Sequence, residues 1–424
     1  MPKRIPKQQR KLSLLLQNTT FFCSIFIFGI ILLTLLCFSW ISYCKETDLP
    51  IPNIISLFIG LAIAVPIYFL TRRISISEHT FKIIIPIAFI SFYILQIVML
   101  YFTYFHTGWD AGYLNSLSDS VVATGSVPSD DTYLSLYPNN TFLTAIFAII
   151  KSIPFFGHQY FLVLIINALL VNLACLFTCL SIKKIKSPKT ALLSLLILMP
   201  LLLFSPWIII PYSDTFGILL PILAFYLYIS CHKWWKYPII TFISIIGYFI
   251  KPTVIIMFIA IVIVELFNYN FTKQNLLSRQ NFKRIGITIG SILLAFLIRF
   301  GANQYIGFHQ DQSVKPISFV HYLAMGQNDG TCGKYSGIDA EESKYGTSFE
   351  LNKFKDRLLA RTPCMQLNVF IKKLLTNYDN GTFAWSGEGH FYFNIPERDD
   401  NILTSYFYKT GEHYLISLDR KSVV

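Results

Sequence analysis

The feature that most constrains this chain is a series of long apolar segments separated by short polar stretches. A helix needs about 20 apolar residues to cross the roughly 30 Å hydrocarbon core of a bilayer. The sequence predicts about nine transmembrane helices, two of them short. In chain order, they are 21–43, 54–70, 83–104, 160–182, 191–210, 215–231, 238–250, 253–267 and 285–300. Because a helix satisfies its own backbone hydrogen bonds in lipid, we expect an all-α polytopic membrane protein.

The composition supports this interpretation. Hydrophobic residues make up 54% of the chain and charged residues only 14%, whereas soluble domains carry about 25% charged residues. The net charge of +12 does not indicate nucleic-acid binding, because Lys and Arg lie in short clusters between the apolar segments. We therefore expect the lipid bilayer, and no nucleic acid, as a partner.

The basic clusters also predict the orientation of the chain. They lie in segments 1–20, 71–82, 183–189, 232–237 and 272–284. Lys and Arg in short loops favour the cytoplasmic side. With a cytoplasmic N-terminus, every cluster falls inside. The loop 105–140, which has four aspartates and no Lys or Arg, then falls outside.

This orientation requires that the apolar stretch "TFLTAIFAIIKSIPFFG", 141–157, does not cross the membrane. It carries Lys151 and Pro154, so we interpret it as a helix lying on the outer surface. If it crossed instead, the lysines at 183–189 would fall outside.

The segment 238–267 presents two alternatives, one long helix or a hairpin that turns at "IKPT". A long helix would place Lys251 in mid-bilayer, at a cost of at least a few kcal/mol, and Pro252 would break it. The hairpin is the favoured prediction. Residues 1–300 then form a transmembrane domain, with an outer loop and surface helix at 105–157. Residues 301–424 form a small extracytoplasmic region of mixed structure.

Cys332 and Cys364 are the two cysteines of that C-terminal region. On the outer side of a membrane, a disulfide between them is the favoured interpretation. The alternative is two unpaired thiols.

Residues with useful chemistry collect where the outer loops meet the predicted spans. They include Asp110, Asp214, Lys251 and Arg299, with tyrosines and tryptophans among them. A Lys or Arg at a lipid–water boundary can hold the phosphate of a lipid-linked sugar. A carboxylate can take the proton of an attacking hydroxyl group, and the cation can stabilise the departing phosphate.

Four stretches, in order, also resemble the GT-C superfamily of membrane glycosyltransferases. They are "GWDAGY", "YPNNTFLTAIFAIIKSIPFFG", "PYSDT" and "GYFIKPTVIIMFIAI". The chain is most similar to bacterial members that use polyprenyl-phosphate sugars, such as protein mannosyltransferases and the lipid A aminoarabinose transferase. The resemblance covers roughly residues 100–265. It departs from the family in having two extra spans before the acidic loop and one acidic residue in "WDAG".

The resemblance implies transfer of a sugar from a polyprenyl-phosphate carrier to a hydroxyl of a cell-envelope glycan, glycolipid or protein, outside a bacterial plasma membrane. Asp110 would be the catalytic base and Lys251 the phosphate-binding residue, supported by Asp214 and Arg299. Tyr137 and Asn140 would order the loop. The other loop aspartates, Asp119, Asp130 and Asp131, stay open as alternative bases.

No cofactor is required by this interpretation. A divalent metal is compatible with carboxylates beside a phosphate, but no ligand spacing indicates one. Two other function classes are open, namely a transporter, flippase or polymerase of lipid-linked glycans, and a non-catalytic membrane scaffold. Transporters usually bury charges at mid-membrane in repeated halves, and the sequence has neither feature.

Overall fold

A computed structural model describes residues 7–38, 74–104, 109–155, 159–203, 206–268 and 279–378, with a few isolated positions between them. The described residues are largely helical and include no β-strand. The helices are α1 (Lys7–Phe38), α2 (Glu78–Thr103), α3 (Asp110–Thr124), α4 (Tyr133–Leu136), α5 (Thr141–Lys151), α6 (Gln159–Ile185), α7 (Pro188–Leu203), α8 (Ser213–Gly217), α9 (Leu219–Ser230), α10 (Lys236–Ile250), α11 (Ile255–Asn268), α12 (Arg279–Tyr305), α13 (Phe319–Met325), α14 (Gly337–Glu342), α15 (Thr347–Leu359) and α16 (Pro363–Tyr378). Short 3₁₀ turns cover Pro138–Asn140, Pro206–Ile208, Pro252–Val254 and Ser343–Tyr345.

Four helical stretches of the described chain are long and apolar enough to cross a membrane by length and composition. They are α2, α6, the run Ser213–Ser230 through α8 and α9, and most of α12. Part of α1 and the helices α7, α10 and α11 are apolar but shorter. The all-α prediction is confirmed for the described residues. The predicted span 54–70 lies almost wholly outside them, and the total of about nine stays a prediction.

The helix α6 is central and contacts α2, α5, α7, α8 and α9. Buried amide side chains join it to its neighbours, as polar groups do between helices in lipid. Asn172 hydrogen-bonds Gln96 of α2. Asn167 donates to the carbonyl oxygens of Trp207 and Ile208, at 3.1 and 3.0 Å. These bonds fix the segment before α8 against the first half of α6.

The basic segments meet at one end of the helices, which we call the basic end. Lys183 of α6 forms a 2.6 Å ion pair with Glu78 at the start of α2. Phe177 of α6 packs against Tyr226 near the end of α9. The Arg284 guanidinium lies 5.8 Å from the Trp234 ring, which brings the start of α12 there as well. This grouping is the one that the predicted topology requires, while the side of the membrane on which it lies stays a prediction.

The structure confirms the hairpin at 238–267. The Tyr237 hydroxyl, at the start of α10, donates to Glu265, near the end of α11, over 2.9 Å. The two helices are therefore antiparallel. Lys251 ends α10 in an extended conformation, and Pro252 begins a 3₁₀ turn. A Cβ atom at Gly247 would collide with the side chain of Val254, so glycine allows this turn to fold back closely.

The helix α5 begins the stretch 141–157. Its 11 residues span about 16 Å, which is too short to cross a bilayer. Most of its side chains are buried against α3, α6, α10 and α12, so α5 is packed inside the protein. Its position at the outer surface of the membrane stays a prediction. Lys151 is only 2% exposed, because it pairs with Asp119 at 2.7 Å and donates to the Asn115 carbonyl at 2.8 Å.

The described part of the C-terminal region is helical, where mixed structure was predicted. Its first segment crosses the loop of 127–138, since the Ile317 amide donates to the Leu136 carbonyl at 3.0 Å. Further along, Arg357 donates to both carboxylate oxygens of Asp339, at 3.0 and 2.8 Å, and Lys353 pairs with Asp339 at 2.8 Å. The region therefore has a charged core of its own.

Candidate functional site

The predicted site residues lie at the end of the helices opposite the basic end. We call it the loop end, and it comprises the start of α3, the segment 133–140, the start of α8 and the turn at 251–254. The structure gathers the predicted residues there into two clusters, one around Asp110 and one around Lys251.

The first cluster holds Asp110 among phenols. Asp110 is half-buried and begins α3, where the free backbone amides of a helix favour a negatively charged side chain. The Tyr212 hydroxyl donates to its Oδ2 over 3.2 Å, and the Tyr133 hydroxyl also hydrogen-bonds it. Asn140, which is 1% exposed, donates to the Tyr133 oxygen over 2.8 Å. The carboxylate is thus held in a defined orientation by groups from two separate segments, 133–140 and the start of α8.

The pKa values of Tyr133 and Tyr212 agree with hydrogen-bond donation from both phenols to Asp110. Burial, and then the negative charge of Asp110, raises the pKa of Tyr133 and the pKa of Tyr212 well above the usual range. Both hydroxyls therefore keep their protons at neutral pH and stay donors to the carboxylate. The carboxylate is left as the group of this cluster that accepts hydrogen bonds and protons.

Aromatic rings surround Asp110. The Trp109 ring packs edge-on against Tyr212, with 5.1 Å between centroids. The Tyr133 ring lies 4.7 Å from Tyr113 and 4.9 Å from Tyr137. Burial, neighbouring phenols and the charge of Asp110 raise the pKa of Tyr137 to about 12. The predicted residues Tyr137 and Asn140 thus belong to the surroundings of Asp110.

The second cluster is an ion pair at the mouth of an apolar cavity. Lys251, from the hairpin turn, pairs with Asp214 of α8, and their side chains are 31% and 45% exposed. The cavity has a volume of about 490 Å³. Its lining is mainly apolar, from Val171, Trp207, Ile208, Gly217, Ile218, Pro221 and Val254, with Thr215 and Thr253 beside the ion pair. Such a site offers an anion-binding group next to room for an apolar chain.

One short element connects the clusters. Tyr212 and Asp214 are two residues apart at the start of α8. The turn between them is closed by Thr215, whose hydroxyl accepts from the Tyr212 amide at 3.2 Å and lies 3.1 Å from its carbonyl oxygen. Because Tyr212 reaches Asp110 and Asp214 reaches Lys251, the base candidate and the cation are held in a fixed relation to each other.

Arg299 lies away from the cavity lining. Its guanidinium carbon is 4.8 Å from the Phe249 ring, and it donates to the Pro138 carbonyl over 3.2 Å. These contacts fasten the 138–140 turn to α10. The structure therefore connects Arg299 to the Asp110 cluster through the backbone, and not to Lys251.

The other loop aspartates have different partners. Asp119 pairs with the buried Lys151. Asp131 accepts from the Tyr113 hydroxyl at 2.8 Å and from the backbone amide of residue 133 at 2.7 Å. Asp130 is exposed. Among these carboxylates, Asp110 is the one that lies with the buried phenols near the cation cluster.

The sequence did not predict two residues of the site, Tyr133 and Tyr322. Tyr133 contacts Asp110 from 23 positions further along the chain, and Tyr322 comes from the C-terminal region. Neither lies in a recognisable motif, so no local signal identified them. Within the described part of the chain, no group of three or more His, Cys, Asp or Glu residues is placed to hold a metal ion.

The disulfide between Cys332 and Cys364 stays a prediction. The structure does not join these two residues, of which Cys364 is exposed and Cys332 partly buried.

Apolar helices with polar clusters at both ends define a polytopic integral membrane protein. Residues 9–416 match the model of a family described as "Conserved hypothetical integral membrane protein", and the chain belongs to that family. No curated protein and no solved structure matches the chain.

Proposed function

We propose that the protein is a membrane glycosyltransferase. It transfers a sugar from a polyprenyl-phosphate carrier to a hydroxyl group of a cell-envelope glycan, glycolipid or protein. The observation that carries this proposal is the juxtaposition, through α8, of a phenol-bonded carboxylate and a lysine at the mouth of an apolar cavity. Each part suits one portion of a lipid-linked sugar donor.

The second cluster suits the carrier. An isoprenoid chain is apolar and matches the lining of the cavity of about 490 Å³. The phosphate at the end of that chain takes the place of Asp214 as the counter-ion of Lys251. The lysine is partly exposed and therefore accessible to such an anion.

The first cluster suits the acceptor. As the acceptor hydroxyl oxygen attacks the anomeric carbon, its proton passes to Asp110. The bond between that carbon and the phosphate oxygen breaks, and the phosphate leaves with the electron pair. Lys251 stabilises the negative charge on the departing phosphate. Tyr133 and Tyr212 keep the carboxylate oriented towards the hydroxyl group.

The test is transfer of a labelled sugar in vesicles. Purified wild type, Asp110→Asn and Asp130→Asn are reconstituted with polyprenyl-phosphate carriers bearing a radiolabelled sugar and with envelope material as the acceptor. We expect the wild type to transfer label and Asp110→Asn to lose about 10²- to 10⁴-fold in rate, with a loss of stability of only about 1 kcal/mol. The exposed Asp130 provides the matched control, whose variant should retain activity.

Four results would contradict the proposal or its base. Transfer by Asp110→Asn at the wild-type rate would place the base elsewhere. Labelled lipid that crosses the bilayer without transfer would favour a flippase, and joining of whole glycan units would favour a polymerase. If labelled lipid is neither used nor moved, the scaffold interpretation takes precedence.

A further inference from the structure

The C-terminal region reaches the Asp110 cluster. The Asp311 amide donates to the Ser135 hydroxyl over 3.0 Å, and the Ile317 amide donates to the Leu136 carbonyl over 3.0 Å. The helix α13 begins two residues later, at Phe319. These bonds place the start of α13 beside Tyr137 and its neighbours.

A group of tyrosines therefore lines this side of the Asp110 cluster. Tyr113, Tyr133 and Tyr137 form a row with 4.7 and 4.9 Å between successive ring centroids. Tyr322 of α13 is 48% exposed. Burial, and then the charge of Asp110, raises the pKa of Tyr322, which agrees with a position close to the carboxylate. Tyr335, which is 72% exposed, is among the groups that raise the pKa of Tyr137.

This arrangement has the chemistry of a carbohydrate-binding surface. A phenol ring offers an apolar face with a hydroxyl group at its edge. The C–H face of a sugar ring packs on the apolar face of the phenol, and the sugar hydroxyl groups form hydrogen bonds with the phenol hydroxyl.

We infer that the acceptor is a carbohydrate and that Tyr322 of the C-terminal region, together with Tyr137, binds it next to Asp110. This inference rests on the proposed function and narrows its acceptor class. Tyr322 acts as a specificity-determining residue, since it contacts the acceptor away from the reacting atoms. The C-terminal region then determines which glycan receives the sugar.

The experiment compares Tyr322→Ala and Tyr322→Phe with Tyr345→Ala. Tyr345 is another exposed tyrosine of the C-terminal region, and its ring packs against Phe349. Transfer is measured against the concentration of oligosaccharides released from the cell envelope. Hydrolysis of the labelled donor to free sugar is measured separately, without acceptor. Binding of the oligosaccharides to each protein in detergent is followed by saturation-transfer NMR.

We expect Tyr322→Ala to raise the KM for the oligosaccharide about 3- to 10-fold, the range of an aromatic contact, with kcat and donor hydrolysis unchanged. Tyr322→Phe should keep most of the binding, and Tyr345→Ala should match the wild type. An unchanged KM in Tyr322→Ala, or a protein acceptor used better than any glycan, would overturn the inference. If no variant uses the donor but oligosaccharide binding still depends on Tyr322, the proposed function fails while the binding surface stands.

Discussion

The two ends of the helices each hold a carboxylate between two tyrosines, and the comparison separates structure from chemistry. At the basic end, Glu265 accepts from Tyr228 through Oε1 at 2.7 Å and from Tyr237 through Oε2 at 2.9 Å. At the loop end, Asp110 accepts from Tyr212 and Tyr133. The same residue types therefore make the same kind of bond at both ends.

The two carboxylates differ in where in the chain their hydrogen-bond partners lie. Glu265 and its two tyrosine partners come from the consecutive helices α9, α10 and α11, and the bond from Tyr237 closes the hairpin. The nearby Lys236 donates to the Tyr228 carbonyl at 2.9 Å, and the adjoining cavity of about 290 Å³ is nearly all apolar. This cluster satisfies its own groups within a local unit.

The Asp110 cluster is assembled from segments far apart in the chain. It also adjoins a partly exposed cation and a region that folds over it from the C-terminus. A fold that needs only to join neighbouring helices does not require such an arrangement. The difference supports the proposal that the chemistry takes place at the loop end, and three substitutions test it.

The largest effect is expected at Asp339, on which the fold of the C-terminal region next to the loop end depends. Asp339→Asn removes the counter-charge of Arg357 and Lys353 from a position that is 1% exposed. Breaking a buried ion pair in this way costs about 3–5 kcal/mol. We expect residues 319–374 to lose protection in hydrogen exchange while α10 and α11 keep theirs. Asp356→Asn, at an exposed position of the same helix α15, is the control.

Low pH should cause the same loss of hydrogen-exchange protection in the wild type. Burial alone would raise the pKa of Asp339, but hydrogen bonds from Arg357, Lys353 and Asn328 outweigh it and hold the pKa well below the usual value. A carboxyl with a depressed folded-state pKa contributes its stability above the unfolded value, about 3.9, and loses it as pH falls further. Protection of the region should therefore decline below about pH 4 in the wild type. An identical acid step in Asp339→Asn would contradict this assignment.

The next largest effect is expected at Lys251, and it compares a lysine of the loop end with a lysine of the basic end. Lys251→Ala removes the proposed phosphate-binding group, so we expect transfer to fall about 10²- to 10³-fold, as for other lost charge-stabilising donors. Lys251→Arg keeps the positive charge and should recover part of the rate. Lys233→Ala, at an exposed lysine of the basic end, should transfer normally. Equal rates in Lys251→Ala and Lys233→Ala would remove Lys251 from the mechanism.

The sequence predicted the helices and the hairpin because apolar length and Pro252 act locally. It placed Asp110, Asp214 and Lys251 at one end by the same reasoning. It did not predict that α5 is buried within the protein, because hydrophobicity does not distinguish burial in lipid from burial in protein. The neutralising partner of Lys151 is Asp119, which is distant in sequence. Tyr133 and Tyr322 come near Asp110 only through the packing of separate segments, which no periodicity encodes.

The smallest effect is expected where the comparison is most direct, at Glu265. Glu265→Gln keeps the shape but weakens the bonds from Tyr228 and Tyr237, at a cost of about 1 kcal/mol in stability. We expect thermal unfolding to occur at a slightly lower temperature and transfer to stay within about twofold of the wild type. The same charge-removing change at Asp110 should lower the unfolding temperature by a similarly small amount and reduce transfer about 10²- to 10⁴-fold. If Glu265→Gln abolished transfer as well, the carboxylate at the basic end would share in the chemistry, and the distinction between a local and an assembled cluster would fail.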